Sequence, residues 1–180
     1  METRGVVDTH RWVLQAVERY EVRLLRFAAR LLGDEDSARD TVQQVFLRLC
    51  GQSPQHLDDR VGPWLFAVCR NQVVDVLRRR KNAPASPDVE PADCCDPMPG
   101  PADTAELADL YRCMNQLVDQ LPLPQREAIS LWSEGFSYRD IAEMTETNEG
   151  HVRVIVHRAL KQLRQHPITQ RLMGAATTTP

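Results

Sequence analysis

Phe136-Ser-Tyr-Arg-Asp-Ile-Ala-Glu-Met-Thr-Glu-Thr-Asn-Glu-Gly-His-Val-Arg-Val-Ile-Val-His-Arg-Ala-Leu-Lys-Gln-Leu-Arg164 decides how this chain folds. A short helix carries Ile141, Ala142 and Met144 on its apolar side. A polar break follows from Thr145 to Asn148. A second helix then places Val152, Val156, Ala159, Leu160 and Leu163 at the spacing of one buried stripe. Arg153, His157, Arg158, Lys161 and Arg164 fall on the opposite side. Two helices joined by a tight turn, the second basic outside, can enter a major groove. The same pattern also fits an ordinary helical hairpin with a solvated basic face.

The rest of the chain sets limits. Its 180 residues suit one ordinary domain or two small ones. No run of about 18 apolar residues exists, so no membrane insertion is expected. Met1 to His10 is mixed and polar and has no apolar leader core, which predicts a cytoplasmic protein. The five cysteines (Cys50, Cys69, Cys94, Cys95 and Cys113) lack metal spacing and read as idle thiols in a reducing compartment. The net charge of −3 argues against a nucleic-acid partner until its distribution is read. Residues 66–82 hold Arg70, Arg78, Arg79, Arg80 and Lys81 against Asp75 alone. Residues 147–166 hold Arg153, Arg158, Lys161 and Arg164 against Glu149 alone. A phosphate backbone feels the local patch rather than the total.

Residues 83–104 contain six prolines, five acids and no Lys or Arg. So few large apolar residues cannot offset the entropy of ordering, so the stretch reads as a flexible acidic tether. Before it lie three helical patterns. The first, about 10–32, ends at Gly33, a residue suited to a helix C-terminus. The second starts near Asp34 to Asp36 and turns Val42, Val45, Phe46 and Leu49 inward. The third runs about 63–80, with Pro63 in its first turn. After the tether, helices are expected at about 104–120, 124–134, 137–144 and 148–165. No strand pattern of useful length appears. The fold class is therefore all-α, as two small helical domains.

Four stretches carry a family resemblance. Asp36-Ser-Ala-Arg-Asp-Thr-Val-Gln-Gln-Val-Phe-Leu-Arg-Leu49 resembles the polymerase-docking region of the extracytoplasmic-function (ECF) class of bacterial sigma factors. Pro63-Trp-Leu-Phe-Ala-Val-Cys-Arg-Asn-Gln-Val-Val-Asp-Val-Leu-Arg-Arg-Arg80 is similar to their helix that opens the minus-ten element. Leu121-Pro-Leu-Pro-Gln-Arg-Glu-Ala-Ile129 resembles the opening of their fourth region. The Tyr138 to Arg164 unit resembles their minus-thirty-five reader. The resemblance implies a region 2 domain at 10–82, the linker at 83–104 and a region 4 domain at 105–166, with the helix-turn-helix about 139–158. It implies docking on the β′ clamp helices and β flap of core RNA polymerase, promoter DNA as ligand, and an anti-sigma partner.

The residues then take roles. Asp40, Gln43, Gln44 and Arg48 project away from the apolar side of their helix and suit a partner helix. Arg70, Asn71, Arg78, Arg79 and Arg80 lie off the third helix's stripe and suit an opened strand, since arginine forks pair phosphate oxygens. Trp64 and Phe66 are candidate walls for a flipped base. Asn148, Glu149, His151, Arg153, Val154, His157 and Arg158 face the minus-thirty-five duplex, with Val154 offered to a thymine methyl.

Some positions depart from the family pattern. Glu146 and Thr147 stand where the family has Gly and then an apolar residue. Val154 and Ile155 stand where it often has Ser then Arg. The bend then falls to Asn148 or Gly150. The loop from Gln52 to Arg60, where the family makes its base pocket, has no aromatic residue and is acidic at Asp58 and Asp59.

Other classes fare less well. No His pair at metal spacing, no Gly-rich phosphate loop and no nucleophile–base spacing appears, so no enzyme, metal or cofactor is expected. A one-component helix-turn-helix regulator would need a ligand or dimer domain at residues 10–80. An adaptor that binds polymerase or an anti-sigma protein, and no DNA, is the third possibility.

Overall fold

The computed structural model describes residues 2–57, 60–82, 113–167 and 169–170, with side chains from His10 onward. All regular structure among them is helical: α1 (Glu2–Leu32), α2 (Glu35–Cys50), α3 (Pro54–Leu57), α4 (Val61–Asn82), α5 (113–119), α6 (Leu123–Ser133), α7 (Tyr138–Thr145) and α8 (Glu149–Gln165). The tether at 83–104, Asp58, Asp59, Cys94 and Cys95 lie outside the described residues.

Local chemistry explains the boundaries. Gly33 ends α1 at φ 69° and donates its N–H to the Ala29 carbonyl at 2.8 Å. Asp34 then caps α2, its carboxylate accepting from the N–H groups of Asp36 and Ser37. Two corrections fall here. α1 starts at Glu2 rather than near His10, and residues 2–9 contain no proline to stop it. The expected loop before α4 contains α3, which starts on Pro54, a good first helical residue, and buries Leu57. Where α4 begins, Gly62 lies against α1. A Cβ there would meet the Tyr20 hydroxyl at 2.9 Å, so the contact requires the bare backbone.

In the first half, Leu24, Phe27, Val45, Leu49, Leu65, Cys69 and Val73 close a core between α1, α2 and α4. In the second, Leu121, Leu131, Ile141, Val152 and Val156 close another among α6, α7 and α8. Burial pushes the Cys69 thiol up to about 12, so it packs as a small apolar group.

The two halves are packed together. α4 lies on α7, and α1 on α6. Phe66, fully buried, stands edge-on to Phe27 (centroids 5.5 Å) and to Phe136 (4.9 Å). The expectation of Phe66 as a wall for a flipped base therefore fails. It is the apolar centre of the joint. Trp64 is half-buried against the core.

The helix-turn-helix forms as expected, with its bend elsewhere. Ser137 and Asp140 make a reciprocal capping box at the start of α7. Glu146 takes the left-handed conformation, φ 55° and ψ 39°, and ends α7. Asn148 is instead the N-cap of α8, accepting from the His151 N–H at 2.8 Å, and Gly150 lies inside the helix. A left-handed backbone costs an L-residue about 1–2 kcal/mol, partly offset in glycine by greater chain entropy. Glu146→Gly is therefore expected to stabilise the protein by roughly 0.5–1 kcal/mol, read as a higher urea midpoint. A lower midpoint would mean that the Glu146 side chain contributes a contact worth more than its strain.

Candidate functional site

Three surfaces emerge. On α8, Val152, Val156 and Ala159 are buried while Arg153, Val154, His157, Arg158, Lys161 and Arg164 are exposed. The stripe and its polar reverse fall where the spacing put them. Val154, 46% exposed, is an apolar group held out in water beside cations. Arg153 is not loose. Its guanidinium bonds Glu149 at 2.8 Å and lies over the Tyr138 ring at 5.6 Å from the centroid. Glu149 and Tyr138 thus orient it, and Tyr138 escaped the sequence reading because its partner lies across the turn. His151 is exposed, and Asn148 spends its side-chain oxygen on the cap.

On α2, Asp40, Gln43, Gln44 and Arg48 are exposed, and Leu47 joins them at 56% exposure. A groove runs beside them between α1 and α2. Val13, Val17, Leu25, Phe46, Leu47 and Cys50 line it, with Asp40 and Gln43 on its polar side. The sequence reading missed this groove because Phe46 was assigned to the core.

On α4, the cations are less available than the sequence suggests. Arg70 donates to Glu127 of α6 at 2.6 Å, with both groups largely buried, and also to Asn71 at 3.1 Å. Arg78 sits 3.7 Å from Asp75. Arg80 donates to the Leu32 carbonyl at 2.9 Å, to Asp34 at 2.9 Å and to Ser37 Oγ at 2.6 Å. The Asp34 carboxyl lies below the usual carboxylate range, chiefly through its hydrogen bonding to Ser37 and to a smaller extent through Arg80. Asn71, Arg79 and Lys81 are exposed. The structure thus ties Arg70 and Arg80 into the protein, where the sequence suggested open phosphate contacts.

These surfaces sit within two recognised regions. Residues 16–83 match the model for Sigma-70 region 2, and residues 111–163 match that for Sigma-70, region 4. "ECF RNA polymerase sigma factor EcfG" of Rhodopseudomonas palustris is 32% identical over 142 residues, covering 78% of this chain and 76% of that protein. The chain is a sigma-70 family sigma factor. "ECF RNA polymerase sigma factor SigL" of Mycobacterium tuberculosis is 32% identical over 147 residues, covering 78% of this chain and 80% of that protein. SigE of Mycolicibacterium smegmatis is 30% identical over 158 residues; the match takes in 84% of this chain but only 60% of SigE. Among solved structures, the sigma factor RpoE in complex with the anti-sigma factor NepR from Bartonella quintana shares the fold. Its TM-score is 0.59 at 24% identity, covering 88% of this chain and 95% of that one. No described helix of this sigma factor is long and apolar enough to cross a membrane.

Proposed function

We infer that this sigma factor binds core RNA polymerase, directs it to promoters in the cytoplasm, and has no catalytic activity of its own. The helix-turn-helix carries the reading: a stripe buried to within 1% at Val152, Val156 and Ala159, backed by an exposed basic face. The docking role goes to Asp40, Gln43, Gln44 and Arg48, and the strand-reading role to α4. An anti-sigma protein that covers these faces would control it, as NepR binds the structural relative.

A footprint with and without core polymerase tests the reading. A sigma factor protects promoter DNA only with core enzyme. A one-component regulator protects the duplex alone, and an adaptor protects nothing. Either of the last two outcomes would overturn the assignment.

Within it, Arg153 and Arg158 are expected to read the minus-thirty-five element, and Tyr138 and Glu149 support that by fixing Arg153. Arg153→Ala or Arg158→Ala should lose about 1–3 kcal/mol of discrimination between matched and mismatched elements if the arginine contacts a base edge. Competition binding of the polymerase–sigma complex to both sequences measures this. Undiminished discrimination and affinity in both variants would remove the recognition role from α8.

A further inference from the structure

Val154 stands at the apex of the exposed face of α8. An α-helix turns about 100° per residue, so Val152 and Val156 each point about 200° away from it. Both are buried, as are Ala159 and Leu163. The direction opposite their shared stripe is that of Val154, an exposed large apolar residue. Gly150, one turn earlier on the same side, is also exposed and carries no side chain. A Cβ at Gly150 would meet nothing nearer than the Asn148 side-chain oxygen at 3.4 Å, an ordinary contact. Its backbone is helical, not left-handed. Neither packing nor backbone conformation within the protein requires glycine there, although glycine costs a helix stability relative to alanine. His151, His157 and Arg158 rim the pair and are exposed.

We propose that Gly150 and Val154 form an apolar notch that receives the 5-methyl group of a pyrimidine in the minus-thirty-five element, so that Val154 selects the base at one position. That α8 faces the duplex rests on the proposed function. The choice of group follows from chemistry. Valine has no hydrogen-bond donor or acceptor. In the major groove the bases present donors, acceptors and one apolar group, the methyl of thymine. Pressing Val154 onto a polar edge strips water from that edge and returns no hydrogen bond. Pressing it onto a methyl removes apolar surface from water on both sides. A β-branched side chain also holds one strongly preferred rotamer in a helix, so Val154 is ordered before it docks. Gly150 meets the second requirement, a bare stretch of backbone that lets the groove approach closely. Arg153, fixed by Glu149 and Tyr138, lies on one flank and Arg158 on the other, which leaves the polar edges to them. Cytosine methylated at C5 offers the same group, so the chemistry recognised is the methyl and either base can supply it.

The test uses the full chain with core polymerase and a promoter duplex that this complex selects from a pool randomised over the minus-thirty-five element. Each thymine of the selected element is replaced in turn by uracil, which keeps the pairing and loses only the methyl. Competition binding is expected to show one position where uracil weakens the wild type about fourfold, the value of one buried methyl group. Val154→Ala should bind the thymine and uracil duplexes equally. At that position cytosine and 5-methylcytosine are then compared. A gain from the methyl on cytosine means that both bases serve, and no gain means that thymine alone fits; the notch stands in both cases. Gly150→Ala should raise the urea midpoint yet bind the selected duplex severalfold more weakly, a loss that a folding defect would not produce. Undiminished affinity in Gly150→Ala would overturn the close approach. Indifference to uracil at every position, or equal sensitivity in Val154→Ala, would overturn the notch while leaving the proposed function intact. If the complex selects no duplex from the pool, the proposed function falls and the notch with it.

Discussion

Replacing Phe66 with alanine is expected to cost about 3–5 kcal/mol of stability, the range for deleting a buried aromatic ring. The side chain is 0% exposed and touches two other rings. Phe27 comes from α1 and Phe136 from the approach to α7, so the lost ring would leave a void shared by both halves. Neither wall can collapse freely, because Leu65 and Cys69 flank the site on α4 and are themselves fully buried. Arg23 also lies 5.7 Å from the Phe66 centroid and loses that face. Urea unfolding followed by circular dichroism measures the change. A loss below about 1 kcal/mol would mean that the joint is not packed in solution as described.

Asp40→Arg with Gln43→Arg is expected to weaken binding to core polymerase by about 2 kcal/mol or more, roughly thirtyfold, the cost of spoiling a central interface position. Both side chains point outward from α2, whose buried positions are Ala38, Thr41, Val42, Val45 and Leu49. The fold should therefore be spared and the helical circular dichroism unchanged. Cys50 offers a second readout, since it is exposed at the end of the same groove. Core polymerase should protect it from a maleimide in the wild type and not in the variant. Unchanged affinity would move the docking site off this face of α2.

Much of this was legible in the sequence because local rules agreed with the tertiary result. The stripe on α8, the Gly33 stop, Pro63 in the first turn of α4 and the outward face of α2 follow from spacing and backbone chemistry, and packing had no reason to override them. What was not legible depends on pairs far apart in sequence. Phe66 reads as an exposed aromatic until Phe136 is set beside it. Arg70 and Arg80 read as phosphate contacts until Glu127 and Asp34 are placed. Glu146 hid the turn because glutamate seldom adopts the left-handed backbone and nothing in its chemistry announces it. The family pattern, with glycine at that position, was the better guide there than residue preference.

Arg80 has one more consequence. It reaches the strand only by leaving Asp34, just as Arg70 must leave Glu127 and Arg78 must leave Asp75. Each phosphate so neutralised sheds a condensed cation, but each abandoned carboxylate can take one up. The usual slope of about −0.7 per phosphate in a plot of log affinity against log salt would then largely cancel for these three arginines. Counting cations on α4 would overstate how steeply salt dissociates the complex, and Arg79 and Lys81, exposed and without an ion pair among the described residues, would account for most of the dependence that remains.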